Sequence, residues 1–330
     1  MKKILVCGAT GFIGRNLVMQ LSRNPNYQII AVKHNRPSFQ VKEAKNEVIW
    51  LKADLRNVND VSRILNGIDI VVQAAATTSG SKDIVTKPYI HVTDNALMNS
   101  ILLREAMNNS VSHFLFFSCT VMYKNSSIPI KEKDWNASDE INDSYFGIAN
   151  TKVYVEKMLD FYSRISTMKT TAIRHSNIYG PYDKYDFERS HVCGATISKV
   201  LTSENDVIVW GTGEEERDLL YIDDLVEFVE SAILNQREKY RLYNCGYGES
   251  ISIRKLVELI INQSKKTLTI SHDITKPTIK TTLCLDNELA KKELGWYPST
   301  PLKDGINKTI IWWNENIDPV TLILKTDKEL

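Results

Sequence analysis

Three glycines near the start of the chain, Gly8, Gly11 and Gly14, have the type and spacing to hold an anionic ligand. They form a G-x-x-G-x-x-G pattern between two stretches. Lys3 to Cys7 is a short apolar, β-branched run that reads as a buried strand, and Asn16 to Leu21 carries apolar residues at helical intervals. A strand that turns through glycines into a helix lets a pyrophosphate approach bare backbone. It also aims the helix N-terminus, with its unpaired N–H groups, at that phosphate. Gly8, Gly11, Phe12, Ile13 and Gly14 are therefore the expected cradle of a dinucleotide. The competing reading is a glycine-rich surface turn. The position directly after a strand, inside a β-α-β rhythm, favours the cradle.

Other candidate contacts close the strands that follow. Gln28 to Val32 reads as a second strand and ends in Lys33, His34, Asn35 and Arg36, with no carboxylate. An acidic residue there bonds a ribose 2′-hydroxyl, whereas basic residues accommodate a 2′-phosphate. Lys33 and Arg36 thus favour NADP over NAD, unless the turn is simply basic and solvated. Glu47 to Leu51 is a third strand, followed by Asp54 and Leu55, with Asp54 placed to bond an adenine amino group. Ile68 to Gln73 is a fourth, ending in Ala74, Ala75 and Ala76. Small residues at that point leave room for a cofactor to cross the sheet edge, and they also suit tight strand–helix packing.

The elements that must position these residues alternate. A helix over Val92 to Asn108 precedes the strand His113 to Phe117, which ends at Ser118-Cys119-Thr120. A helix over Ser144 to Arg164 precedes the strand Thr170 to Arg174. Six short strands among helices predict an α/β fold, a doubly wound parallel sheet of the Rossmann type with a smaller C-terminal α/β substrate lobe. The expected division is 1–175, with later segments interleaved, for the dinucleotide domain and 176–330 mainly for the substrate lobe. In the second part, helices are expected over Val192 to Leu201, Asp224 to Leu234 and Ile253 to Gln263, and strands near Val207 to Trp210 and Leu219 to Ile222. The last dozen residues read as a loose tail.

Composition narrows the partners. The 41 basic and 40 acidic residues leave a net charge of +1, so no global field recruits nucleic acid or an anionic membrane. Five scattered cysteines without C-x-x-C spacing suit reduced thiols and predict no metal site. No apolar run approaches membrane-spanning length, and the first residues read as a strand of the fold; a cytoplasmic protein is expected.

Several separated motifs then occur in order. They are Asn177-Ile178-Tyr179-Gly180-Pro181-Tyr182-Asp183, Ser190-His191-Val192, Val209-Trp210-Gly211-Thr212-Gly213, Arg217, Tyr221-Ile222-Asp223-Asp224-Leu225 and Gly295-Trp296. Together with the glycine turn they resemble the extended short-chain dehydrogenase/reductase family, the NAD-dependent epimerases, dehydratases and reductases of nucleotide sugars. Within it the likeness is nearest to the GDP-L-fucose synthase branch and runs from about residue 3 to residue 316. The resemblance implies hydride exchange at sugar C4 of a GDP-linked deoxy sugar, a small-molecule nucleotide-sugar substrate, and a homodimer through the two long helices.

By the same resemblance, a tyrosine moves a proton at the sugar 4-oxygen. A lysine one helical turn later holds the nicotinamide ribose and lowers the tyrosine's pKa. Lys152 matches the lysine, supported by Glu156 and Lys157, but Ile148 stands four residues before it. Tyr145, seven residues before, either serves from one turn further out, is the family tyrosine with extra residues at the helix start, or is a surface residue. The family hydroxyl falls on Cys119, with Thr120 beside it; Cys119 is a candidate acid/base or a buried strand-end thiol. The branch's epimerising cysteine falls near Val121, while His191 matches its histidine; His113 and His175 read as structural. Asn177 and Arg217 are the expected diphosphate contacts, Lys199 and Lys276 lesser ones, and Trp210 offers an aromatic face to the base. Core packing for Trp210, and an ion pair with the Glu214 to Glu216 run for Arg217, are the alternatives. A single 4-epimerase, or a sensor that keeps the pocket without chemistry, are the rival functions.

Overall fold

A computed structural model describes residues 1–78, 86–276 and 281–325. Seven parallel strands form the main sheet in the order β10-β6-β5-β4-β1-β2-β3. They are β1 Lys2–Cys7, β2 Tyr27–Lys33, β3 Ile49–Lys52, β4 Ile70–Gln73, β5 His113–Phe117, β6 Lys169–His175 and β10 Tyr240–Cys245. The central strands β4 and β5 are buried along their whole length, as a sheet covered on both faces requires.

Two apolar clusters sandwich the sheet. Ile4, Val6, Leu17, Val72 and Leu115 face one, shared with the helix Ile222–Asn235 and the C-terminal elements. Leu5, Cys7, Val71, Phe114 and Phe116 face the other, with Leu102 and Leu159 from the helices Thr93–Asn108 and Phe146–Ile165. Alternate residues of each strand thus serve opposite clusters, as the period of two dictates.

Smaller sheets build the C-terminal lobe: β11 Ser250–Ser252, β9 Glu216–Tyr221 and β7 Asn177–Tyr179 in one, and β12 Thr269–Asp273 with β8 Asp206–Trp210 in the other. Helices Val192–Thr202, Ile253–Ser264 and Leu302–Asn316 complete it. The motif stretch from Asn177 begins with strand β7. Tail residues up to Lys325 fold back instead of trailing: Ile317 bridges to Leu324 and Leu322 is buried, while 326–330 lie outside the described residues. Among the described residues no helix is long and apolar enough to cross a membrane.

The strand order reverses between β1 and β4, and the crevice beyond their carboxyl ends is where such sheets bind ligands. The Asn16 amide donates to the Pro181 carbonyl at 3.0 Å, tying the helix after the glycine turn to the loop that enters the second lobe.

Candidate active site

The glycine turn closes on the end of β4. Gly8 has φ +69°, and a Cβ there would stand 2.7 Å from the Ala75 backbone. A Cβ on Gly14 would meet the Gly8 carbonyl at 2.1 Å. Only bare backbone fits at both positions. Gly11 caps the helix Phe12–Leu21 without a side chain, so the first-turn amides, from Phe12 and Ile13, lack intrahelical acceptors and face an incoming anion. A dinucleotide pyrophosphate fits this cradle.

A ladder of amides fixes the opposite wall. Gln73 accepts from the Ala75 N–H at 3.1 Å and donates to Asn99 at 3.0 Å, while Asn95 accepts from the Thr77 N–H at 2.9 Å. Ala74 and Ala75 are half-buried and Ala76 is exposed along this wall. At the end of β2, Lys33 donates to the Ser38 hydroxyl at 3.3 Å and Arg36 is exposed. Asp54 accepts from Arg56 through both oxygens, at 3.0 and 2.9 Å. The Arg56 hydrogen bonds hold its carboxyl down at about 2, so its free lone pairs accept as a carboxylate. Leu55 is a core residue.

The chemistry-bearing groups gather at the end of β5. The Lys152 ammonium donates to the Phe117 carbonyl at 2.7 Å and lies 4.7 Å from the Phe116 ring centre. Burial lowers its pKa, with Cys119 and Glu156 pulling the other way. Cys119 is half-buried; burial raises its thiol pKa, opposed by Lys152 and by the Val121 amide. Thr120 is half-buried beside it, and its carbonyl accepts from the Tyr123 N–H at 3.0 Å.

Tyr145 ends the short 3-10 turn Asp143–Tyr145 and occupies the N-cap position of the helix Phe146–Ile165. Its phenol pKa is raised by burial, lowered by Arg217 and raised by Cys119. Tyr145 therefore sits within electrostatic reach of both groups. Ile148, one turn before Lys152, is half-buried and brings no proton.

Arg217 donates to the Glu216 and Thr281 carbonyls, both at 2.8 Å. Burial lowers its pKa, opposed by Tyr145 and Glu215. Its strand is anchored by the buried neighbour Asp218, which accepts from the Tyr247, Gly248 and Leu285 amides at 2.7, 3.2 and 3.0 Å. The Asn177 amide donates to the Asp218 carbonyl at 3.2 Å. His191 holds the N-cap position of the helix Val192–Thr202 without a side-chain capping bond and is exposed. Desolvation by the surrounding protein lowers its pKa, as does Lys184.

Further out, Trp210 is 47% exposed, so it is a surface ring and not core packing. The Lys199 and Lys276 ammoniums lie 4.8 and 5.9 Å from its ring centre.

His175 was legible only as structural, yet it ends β6 within electrostatic reach of Lys152 and His191. Its Nδ1 lies 2.7 Å from the Ser176 carbonyl, which fixes the proton on that nitrogen and leaves Nε2 an acceptor. Burial pushes its pKa down to about 4, so the ring is neutral near pH 7. Nothing in its spacing marks it. His113 is a buried ring hydrogen-bonded to Thr171 at 2.7 Å.

The model of the NAD dependent epimerase/dehydratase family matches residues 4–246. The chain belongs to that family. GDP-mannose 3,5-epimerase 1 of Oryza sativa subsp. japonica is 29% identical over 96% of this chain and 82% of its own length. GDP-L-fucose synthase of Escherichia coli (strain K12) is 26% identical over 96% and 98%. The UDP-glucose 4-epimerase of Bifidobacterium longum, solved with NAD+ and UDP, shares the fold at TM-score 0.81, 20% identity, and 96% and 99% coverage. The family assignment thus stands on the whole sheet and glycine cradle, whereas GDP-sugar relatives of two different activities match at comparable distance.

Proposed function

We propose that the protein is an NAD(P)-dependent enzyme of GDP-linked deoxy sugars, exchanging hydride at sugar C4 as a 4-keto reductase or epimerase. The observation that carries this reading is the convergence of Tyr145, Cys119, Lys152 and Arg217 at the carboxyl edge of the same parallel sheet that carries the glycine cradle. A nicotinamide bound there supplies or accepts the hydride.

The residues divide the proton work. Tyr145 is a neutral phenol whose O–H donates to the sugar 4-oxygen as that oxygen gains negative charge, and Arg217 stabilises the phenolate left behind. Cys119, a protonated thiol beside the Lys152 charge, is the second proton carrier. It takes over from the cysteine position at Val121, which holds no titratable group. Thr120 offers a hydroxyl to the same oxygen, and His191 faces the sugar from the second lobe. Lys152 holds the nicotinamide ribose.

Arg217 and Asn177 bind the diphosphate. Trp210 offers its aromatic ring to the guanine, and the Lys199 and Lys276 ammoniums over that ring are the lesser phosphate contacts. Lys33 and Arg36 take a 2′-phosphate, favouring NADP. The sheet lobe of 1–175 and the lobe of 176–330, which returns β10 to the sheet, form the two walls of the cleft. Exposed Leu97, Tyr154 and Phe161 on the two long helices make a homodimer face. The test is turnover of purified protein with NAD(H) or NADP(H) and a panel of GDP-4-keto-6-deoxy sugars, followed by nicotinamide absorbance and product NMR.

One observation favours a second reading. Ile148 stands where the resemblance places the phenol, as in a sensor that keeps the pocket and has lost chemistry. Tight binding of cofactor and GDP-sugar with neither turnover nor a product isomer would support it.

A further inference from the structure

Behind the candidate site lies a charged group that hydride chemistry does not use. Arg174 of β6 is 1% exposed and Glu156 is 2% exposed, and they form a two-pronged pair. Arg174 Nε donates to Glu156 Oε1 at 2.9 Å and Nη2 donates to Oε2 at 2.6 Å. Ser118 donates its hydroxyl to Glu156 Oε1 at 2.6 Å. Arg174 Nη1 donates to the Tyr123 hydroxyl at 3.0 Å, and that hydroxyl donates to Asn244 at 2.8 Å. The Arg174 guanidinium lies 4.9 Å from the Tyr123 ring centre and 5.2 Å from that of Trp135.

Apolar replacement of such a pair is often neutral or stabilising, so stability is a weak account of it. Its partners indicate the role. Ser118 immediately precedes Cys119, and Tyr123 ends the same turn. Glu156 lies one helical turn after Lys152, on the same helix face. We propose that the Arg174–Glu156 pair is a positioning unit that clamps the Cys119 turn to the Lys152 helix and balances the charge behind the thiol.

The groups facing the thiol come from each neighbouring element. They are Lys152 and Glu156 from the helix, Arg174 from β6, Tyr145 from the turn before the helix, and the Val121 amide. Glu156 raises the thiol pKa and Arg174 lowers it, in addition to the larger effect of burial. With both charges present they oppose each other. Removing either one leaves the other uncompensated, with opposite consequences for the thiol.

The inference takes its catalytic meaning from the reading of Cys119 as a proton carrier, but it is testable without turnover. The rate of iodoacetamide labelling against pH reports the thiolate fraction of Cys119. Cys7, Cys193, Cys245 and Cys284 are all buried, and Cys119→Ser supplies the blank. Glu156→Gln, which keeps the shape and one acceptor oxygen for Arg174 Nε and Ser118 while removing the charge, shifts the labelling midpoint down and speeds labelling at pH 7 about three- to tenfold. Arg174→Met shifts the midpoint up and slows labelling, and the Glu156→Gln/Arg174→Met double variant returns it towards the parent. Mass spectrometry must show one label per chain. Misfolding instead exposes further thiols, and if Arg174→Met misfolds, Glu156→Gln alone decides. Singles that shift in the same direction, or a Glu156→Gln midpoint that stays put or rises, would overturn the proposal. Loss of sugar-nucleotide activity with these shifts intact would fault only the functional reading.

Discussion

Lys152 and Cys119 face each other across the end of β5: the ammonium donates to the Phe117 carbonyl at 2.7 Å, two residues before the thiol. The cation that faces Tyr145 is instead Arg217. Each proton-bearing group thus has its own positive partner, and the two can be tested separately. Lys152→Met removes the charge beside Cys119 while retaining the aliphatic stem. It should lower kcat by about 10²- to 10⁴-fold, weaken cofactor binding in titration calorimetry, and leave the thermal midpoint within a few degrees.

Arg217 carries two functions in this account, diphosphate binding and support of the Tyr145 phenolate. Arg217→Lys keeps charge but loses the planar fork, and should weaken GDP-sugar binding by about ten- to a hundredfold. Tyr145→Phe should leave that affinity in place and cut kcat by about 10²-fold or more. Full activity in Tyr145→Phe would remove the phenol from the mechanism.

The glycine cradle admits no side chain. Gly14→Ala places a Cβ 2.1 Å from the Gly8 carbonyl, so the turn must open. Cofactor affinity should fall at least about tenfold, with a stability loss of about 1–3 kcal/mol in urea titration. Gly295→Ala, where a Cβ meets nothing within 4 Å but φ is +70°, isolates the backbone term. It should cost about 1 kcal/mol and leave cofactor binding untouched.

Asp183 gives the fold a pH dependence of definite sign. Its carboxyl is buried; Oδ1 accepts from the Lys184 N–H at 2.7 Å, and Oδ2 has no hydrogen-bond partner among the described residues. Burial raises its pKa to about 7 from a usual 3.8. Between those values the unfolded chain has released the proton and the folded chain keeps it, so this group's contribution to stability is present below 3.8 and is lost as pH rises to 7. Asp183→Asn should flatten that slope and stabilise the protein at pH 7 relative to the parent, read as denaturant midpoints at pH 5 and pH 7.

The strands and the glycine turn were legible because their signals are local. Lys3 to Cys7, His113 to Phe117 and Thr170 to Arg174 are compact apolar or β-branched runs, and each strand lies within two residues of its expected bounds. The seventh strand, Tyr240–Cys245, went unread because YRLYNC mixes polar and apolar residues, and it becomes a strand through pairing with β6. Helix Val58–Leu65 begins at Asn57, whose side chain accepts from the Asn59 and Asp60 amides, a cap passed over in a polar stretch. Around the site, Lys152, Cys119, Tyr145 and Arg217 were marked by motif spacing, but the groups packed behind them were not. The Arg174–Glu156 grip and the approach of His175 join residues far apart in sequence. Neither leaves a periodic trace.

The most direct test of the central claim is hydride transfer itself. Purified protein is mixed with NADH or NADPH and each GDP-4-keto-6-deoxy sugar, and nicotinamide absorbance is followed beside Tyr145→Phe and Cys119→Ser. The account predicts stoichiometric oxidation of the cofactor with at least one sugar, faster with NADPH, and reduced by about 10²-fold or more in both variants. Saturable binding of cofactor and sugar with no absorbance change and no product isomer across the panel would contradict it.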